Sequence, residues 1–167
     1  MAIKLIIGLG NPEAGFQKTY HNAGHIFVDY VSQNEDLMNL IPKVRVLKTD
    51  VSMNISGKFV LSQLSKISVK PEELLIVHDE SDVLLGKYKF SFNRGSAGQN
   101  GVRSIQKSLG TDAFWRLRIG IRPNEENKPR QKAGSFVLKK ISATHMKVLG
   151  KVFSEAVMAI PTLQEKK

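Results

Sequence analysis

The opening of the chain places the strongest constraint on its fold. The apolar run Ile3–Ile7 is typical of a strand buried on both faces, and Gly8-Leu9-Gly10 ends it in a tight turn. A strand of this kind favours an α/β protein, in which polar groups at strand ends carry the chemistry. The turn does not match a dinucleotide-binding loop, because Glu13 stands where the third glycine of that motif would fall.

Strand-like and helix-like patterns alternate along the rest of the chain. Alternating or buried-type apolar runs predict strands at residues 3–8, 44–47, 74–77, 86–92 and 115–121, and a possible edge strand at 136–138. Apolar residues at helical spacing predict helices at 22–35, 56–67, 102–109 and 142–160. This alternation predicts an α/β sandwich with a largely parallel sheet. At 167 residues we expect a single domain, 1–167.

Composition removes several classes of protein. The chain has no cysteine, which excludes a thiol nucleophile, a disulfide framework and a thiolate metal site. No apolar run approaches the roughly 20 residues that span a bilayer. The first residues also lack the basic-then-apolar pattern of a secretion signal. We therefore expect a soluble protein of the cytoplasm that does not bind membranes.

The positive charge of the chain is concentrated in one segment. Residues 86–140 carry 13 basic and 3 acidic side chains, whereas residues 1–85 carry 8 basic and 10 acidic ones. Such an asymmetry favours a polyanionic partner, with nucleic acid first. The alternative is a solvated basic surface that only aids solubility.

A candidate general base and a candidate partner for it follow two different predicted elements. His21 can accept a proton from water near neutral pH. Asp79, at the end of a buried strand, can fix the tautomer of an imidazole and stabilise its protonated form. His78 and Asp79 point to opposite faces if the strand continues, so only one of them faces the site. Alternatively, His21 is a helix cap or surface group, and Asp79 forms a solvated acidic turn or weak cation site with Glu80 and Asp82.

Three asparagines provide neutral donors and acceptors near the same predicted edge. Asn11, Asn54 and Asn100 could grip a carbonyl, position a water or stabilise an oxyanion. Taken singly, Asn54 and Asn100 are equally compatible with plain turns, because a glycine follows each of them closely. The G-x-S-x-G, H-E-x-x-H and P-loop motifs and zinc-spaced histidines are absent. These patterns leave a His–Asp hydrolase that uses no metal and no cofactor.

Several motifs occur in an order that resembles one known family. GLGNP, HNAG, MNISG, HDESD, GSAGQNGVRSI and RLRIGI follow one another between Ile3 and Leu138. The chain resembles the bacterial-type peptidyl-tRNA hydrolases. The resemblance implies a three-layer α/β/α sandwich with a mixed, largely parallel twisted sheet. It also implies metal-free hydrolysis of the ester between a peptide and tRNA, with the tRNA acceptor arm as partner; we expect a monomer.

The resemblance also implies roles for individual residues. It implies that His21 is the catalytic base, that Asp79 supports it and that Asn11 distinguishes peptidyl-tRNA from free aminoacyl-tRNA. The implied substrate-binding residues, which hold the ester end, the catalytic water and the tRNA terminus, are Phe16, Ser52, Met53, Asn54 and Asn100. The implied tRNA-binding residues are Lys89, Arg103 and Arg118.

Departures from the family pattern leave the reaction class unchanged in our interpretation. Gln99 replaces the histidine that usually precedes Asn100, Ser96-Ala97 replaces a Gly-His-Gly-type stretch, and Ser52 replaces a phenylalanine. The segment before MNISG and the C-terminus are also shorter, which predicts a trimmed substrate cleft and lid. Two alternatives remain: a non-catalytic RNA-binding protein on the same fold, and a small-molecule hydrolase whose basic face is incidental.

Overall fold

The computed structural model describes residues 2–125, 129 and 132–165, and its described part is organised around a five-stranded sheet. The strands are β1 (Leu5–Gly8), β2 (Arg45–Lys48), β3 (Leu74–Leu84), β4 (Tyr88–Phe92) and β5 (Trp115–Arg122). Their spatial order is β2-β1-β3-β5-β4. All pairs are parallel except β4 with β5, which is antiparallel. The predicted mixed, largely parallel sheet is confirmed.

Five α-helices in the described part of the chain cover the two faces of this sheet. They are α1 (Ala23–Ser32), α2 (Glu35–Leu40), α3 (Ser56–Ile67), α4 (Asn100–Leu109) and α5 (Ala143–Ala159). One core joins α1, α2 and α5 to the sheet, and a second core joins α3 and α4 to its other face. This is the three-layer α/β/α arrangement. None of the helices in the described ranges is long and apolar enough to cross a membrane.

The parallel strands bring their carboxyl ends to one edge of the sheet. All four residues of β1 are fully buried between β2 and β3, as the apolar run predicts. The turn after β1 leads to Asn11, and the neighbouring strand β3 carries Asp79 toward the same edge. Gly24 lies so close to the carbonyl oxygens of Leu9 and Val77 that a side chain there would overlap both. The start of α1 therefore packs directly on this edge.

The structure departs from the sequence-based prediction most clearly in three segments. The predicted helix 22–35 ends at Ser32, and the segment that follows forms the short helix α2, which Asn34 caps by accepting from the backbone N–H of Leu37. β3 continues to Leu84, well beyond the predicted end at Val77. The predicted edge strand 136–138 is wrong.

Local backbone hydrogen bonds explain why residues 136–138 do not form a strand. The N–H groups of Phe136 and Val137 both donate to the carbonyl oxygen of Ala133, which folds the segment into a turn. Phe136 is apolar and buried against the core, as a strand residue would be. The apolar pattern therefore correctly predicted that Phe136 is buried, but it wrongly predicted a strand backbone.

The contact between α3 and α4 gives a testable stability prediction. A methyl group at Gly57 would overlap the carbonyl oxygen of Ser104, so the helices approach more closely than an alanine permits. We expect Gly57→Ala to lower the free energy of unfolding by about 1–3 kcal/mol, despite the better helix propensity of alanine. Urea denaturation measures this change. Gly15→Ala is the matched control, because nothing lies within 4 Å of a methyl at Gly15; an equal loss there would contradict the packing argument.

Candidate active site

His21 and Asp79 form the centre of the site. The Nδ1–H of His21 donates to Oδ2 of Asp79 at 2.9 Å. The Asp79 side chain is only 5% exposed, whereas that of His21 is 19% exposed and reaches the surface. With Nδ1 turned to the carboxylate, the second ring nitrogen, Nε2, keeps its lone pair for a proton from outside. β3 does continue past these residues, and Asp79 rather than the fully buried His78 faces the site.

Backbone contacts fix the position of His21. It lies in the 3-10 turn Tyr20–Asn22, which leads directly into α1. The backbone N–H of His21 donates to the carbonyl oxygen of Val137 at 2.7 Å, and that of Tyr20 donates to Lys139 at 3.2 Å. The turn that replaces the predicted edge strand therefore holds the histidine against the sheet edge.

Asn11 is held from two sides. Asn22 grips its backbone: the side-chain oxygen of Asn22 accepts from the Asn11 N–H at 2.9 Å, and its amide donates to the Asn11 carbonyl at 2.8 Å. The Asn11 side-chain oxygen accepts from the backbone N–H of Met53 at 2.8 Å. Its amide NH₂ is therefore oriented away from Met53, which leaves a donor of fixed direction at the site.

Gln99 joins the Met53 side of the site to Asp79. Its amide nitrogen lies 3.1 Å from Oδ1 of Asp79 and 3.5 Å from the sulfur of Met53. Through these contacts the structure brings four of the predicted residues into one connected set: His21, Asp79, Met53 and Asn11.

The electrostatics separate His21 from the two buried histidines. Burial lowers the pKa of His21, but the hydrogen bond and the negative charge of Asp79 raise it by more, so the pKa lies above its ordinary value of 6.5. Burial lowers the pKa of His25 and of His78 to about 4. These two histidines stay neutral at neutral pH, and only His21 pairs with a carboxylate among the histidines in the described ranges.

Four further predicted residues make no direct hydrogen bond to the set in the described part of the chain. Asn54 is exposed in the 3-10 turn Met53–Ile55, and Asn100 is exposed as the first residue of α4. Asn54 is the chain neighbour of Met53, and Asn100 is the chain neighbour of Gln99. Phe16 is half-buried, and exposed Ser52 donates its hydroxyl to Glu13 at 3.1 Å.

The predicted tRNA-binding residues differ in their availability. Lys89 is exposed near the start of the edge strand β4, and Arg103 is exposed on α4. Arg118 lies directly across from Lys89 on β5. However, its Nε and Nη2 atoms both lie 3.0 Å from Oε2 of the buried Glu80. Part of the Arg118 charge is therefore already neutralised within the protein.

Sequence reasoning missed residues that support the site. Asn22, which braces Asn11, stands beside His21 in the HNAG motif, and this adjacency was the available signal. Glu80 is buried and paired with Arg118, as a buried carboxylate usually requires a cationic partner, but nothing in the sequence showed its burial. Val137 acts through its carbonyl oxygen, which no side-chain pattern can show.

This arrangement combines a proton acceptor and an oriented amide donor within one connected set of residues. A neutral imidazole at His21 has its hydrogen-bonded carboxylate behind it and an oriented amide, that of Asn11, on the neighbouring loop. Such a combination activates water against a carbonyl carbon. Among the described residues, no group of three or more histidine, aspartate or glutamate side chains is arranged to hold a metal ion.

Comparisons with known proteins agree on one family. The family model for peptidyl-tRNA hydrolase matches residues 5–167. A peptidyl-tRNA hydrolase of Neisseria gonorrhoeae (strain NCCP11945) is 34% identical over 96% of this chain and 90% of its own length. One from Serratia proteamaculans (strain 568) is 38% identical over 93% and 86%.

A solved structure agrees in its fold. The crystal structure of peptidyl-tRNA hydrolase from Acinetobacter baumannii superimposes with a TM-score of 0.79 and 29% identity, over 98% of this chain and 90% of that one. The fold, the family model and the relatives thus converge. The chain belongs to the peptidyl-tRNA hydrolase family, whose members are hydrolases that act on an ester bond.

Proposed function

We propose that this chain hydrolyses the ester between a peptide and the 3′-terminal ribose of tRNA, with His21 as the general base. Neutral His21 takes a proton from water through Nε2 while the water oxygen attacks the ester carbonyl carbon. The bond between that carbon and the ribose oxygen then breaks; the ribose oxygen leaves as a hydroxyl with the proton that His21 took up, and the peptide leaves with a free carboxyl group. Asp79 holds the imidazole in the tautomer that leaves Nε2 free and stabilises the imidazolium that forms. The observation that carries the proposal is the 2.9 Å hydrogen bond between a part-exposed histidine and a buried carboxylate.

The asparagines and Met53 hold the substrate in this proposal. The Asn11 amide, which the Met53 N–H orients, contacts the acyl part of the substrate and distinguishes a peptide from a free amino group. Asn54 and Asn100 are exposed and adjacent to Met53 and Gln99, where they can donate to the oxyanion and hold the water. Phe16 and Ser52 lie on the side of the tRNA terminus.

The basic residues bind the acceptor arm of tRNA in the same proposal. Lys89, Arg103 and Arg118 contact phosphates, so affinity falls steeply with salt and carries little sequence readout. We further propose that the chain works as a single-domain monomer in the cytoplasm and uses neither metal nor cofactor. The support is the basic segment 86–140 and the family to which the chain belongs.

The test is release of tRNA from an N-acetyl-aminoacyl-tRNA, run beside the unblocked aminoacyl-tRNA, with and without a chelator. We expect cleavage of the blocked substrate alone, at a rate that the chelator does not change. Equal cleavage of both substrates would remove the discriminating role of Asn11. Absence of cleavage together with salt-sensitive tRNA binding would favour the non-catalytic RNA-binding alternative, and absence of tRNA binding would favour a small-molecule hydrolase.

Lys89 gives the sharpest test of the RNA-binding surface. We expect Lys89→Glu to weaken tRNA binding and to reduce the slope of log K against log salt by about 1, because one phosphate contact is lost. Binding titrations at several salt concentrations measure the slope. Arg118→Glu is less informative, because it places a second carboxylate beside buried Glu80.

Lys147→Glu is the matched control for Lys89. Lys147 is exposed on α5, in the layer on the other face of the sheet, and the substitution changes the net charge by the same amount. We expect the control to leave the slope unchanged. If the slope of log K against log salt were the same for the wild type and Lys89→Glu, Lys89 would not contact the tRNA.

A further inference from the structure

The Gln99 side chain has a defined place between three parts of the site. Gln99 is the residue that precedes α4, and its side-chain oxygen accepts from the backbone N–H of Val102 at 2.9 Å, which caps the helix. Its amide nitrogen is directed to the opposite side, to Asp79 and Met53. Both ends of the side-chain amide thus have a partner.

This amide can adopt only one orientation. If oxygen and nitrogen exchanged places, the oxygen would face the Asp79 carboxylate and the NH₂ group would face the Val102 N–H, and both contacts would be repulsive. Close packing adds a further restraint, since a Cβ at Gly101 would lie 2.5 Å from the Met53 sulfur and 3.0 Å from Oε1 of Gln99. Residue 101 must stay small for Gln99 and Met53 to keep these positions.

The Asp79 carboxylate consequently has two donors, one on each oxygen. His21 donates to Oδ2 at 2.9 Å and Gln99 donates to Oδ1 at 3.1 Å. With both oxygens bonded, the plane of the carboxylate is fixed, and so is the direction in which it accepts from the imidazole. The Gln99 hydrogen bond also takes up part of the negative charge that would otherwise act on His21 alone.

We propose that Gln99 is a positioning residue for the His21–Asp79 pair: its amide shares the buried carboxylate with His21 and fixes the carboxylate that orients the base. The proposal rests on the function proposed above and names a residue to which that function gives no role. An amide does not titrate, so this support is the same at every working pH.

Other charged or titratable groups near the pair have their own partners or stay exposed. Arg118 pairs with Glu80, and the Nδ1–H of His78 donates to the Asp79 carbonyl oxygen. The groups on the surrounding elements are Glu80 and His78 on β3, Arg118 on β5, Arg103 on α4, Glu13 in the first loop, and Tyr20 with its partner His145 on α5. None of them contacts the Asp79 carboxylate in the described part of the chain.

The test compares Gln99→Asn and Gln99→Glu with the wild type. Asparagine is a good N-cap, so it keeps α4 capped, but it is one methylene too short to reach Asp79. Glutamate keeps the length and the capping oxygen, and puts a second negative charge where the donor was. The readouts are the NMR titration of the His21 ring, the pH profile of hydrolysis and the melting temperature.

Both variants should move the titration of His21 upward. For Gln99→Asn we expect the NMR midpoint to rise by about 0.5 or more, because the carboxylate keeps only His21 as its donor. The acidic limb of kcat/KM should move with it, kcat should fall by about tenfold and KM should stay unchanged. Gln99→Glu should give the larger rise.

A wild-type midpoint and pH profile in both variants would overturn the proposal and leave Gln99 as a helix cap. The NMR arm keeps this outcome separate from failure of the proposed function. If the wild type did not hydrolyse the substrate, the proposed function would fail, yet a raised His21 midpoint in Gln99→Asn would still show that Gln99 acts on the pair.

Discussion

His21→Ala is expected to lower kcat by about 10²–10⁴-fold, since that is the usual contribution of a positioned general base. The substitution removes the ring whose Nδ1–H is bonded to Asp79, and His25 and His78 cannot replace it, because both are buried with partners of their own. Single-turnover release of tRNA measures the loss. tRNA binding should stay close to that of the wild type, because the residues proposed to contact phosphates are Lys89, Arg103 and Arg118.

Added imidazole provides the control for this variant. His21→Ala leaves an empty space beside Asp79 at a part-exposed position, so imidazole in solution should restore part of the rate. The melting temperature checks that the fold is retained. An unchanged turnover number in His21→Ala would contradict the proposed mechanism.

Asp79→Asn is expected to reduce kcat by an amount on the order of 10²–10⁴-fold, although it is nearly isosteric. If the oxygen of the new amide faced His21, its NH₂ group would face the amide hydrogens of Gln99. If the NH₂ group faced His21, it would require Nδ1 to accept and would move the ring proton to Nε2, which could then no longer act as a base. The first orientation is incompatible with the hydrogen bond from Gln99 to Asp79, and the second is incompatible with the hydrogen bond from His21 to Asp79.

A double variant separates the effect of the wrong His21 tautomer from the effect of losing the negative charge of Asp79. Gln99→Glu supplies an acceptor for the NH₂ group of the substituted asparagine, so that the oxygen of the same amide can turn to His21 and restore the tautomer. We expect the pair Asp79→Asn with Gln99→Glu to hydrolyse faster than Asp79→Asn alone. A double variant no faster than the single one would show that the negative charge of Asp79, rather than the tautomer, dominates.

The sequence predicted the elements whose pattern is set by burial. β1, α3 and β5 follow apolar patterns that the sheet and its two cores impose, and α3 begins and ends at the predicted residues. The prediction of a strand at residues 136–138 was wrong because the apolar pattern of a buried turn resembles that of a short strand. The break between α1 and α2 was not predicted because it depends on Asn34, whose capping hydrogen bond is local and leaves no periodic signal in the sequence.

At the candidate site, residue types were predictable and their connections were not. The sequence placed His21, Asp79 and Asn11 near one edge, the family resemblance added Met53, and the structure joins the four. It could not show that Gln99 links two of them or that Arg118 is bonded to Glu80, because such contacts depend on the register of β3 with β5 and on side-chain directions.

The basic segment gives a second example of what a sequence count leaves out. Arg116 belongs to that segment, yet it is only 2% exposed and donates to the carbonyl oxygen of Gly95. Its charge therefore does not reach the surface, although it adds to the net charge of residues 86–140 in the same way as exposed Lys89.

The most direct test of His21 as the base compares two titrations of the free protein. One is the pH dependence of kcat/KM, and the other is the NMR titration of the His21 ring. A general base works in its neutral form, so kcat/KM should fall as the pH drops through the pKa of His21, which Asp79 raises above 6.5. Both midpoints should coincide above 6.5. A kinetic midpoint near 4, where His25 and His78 titrate, or a rate that does not change while His21 titrates, would contradict it.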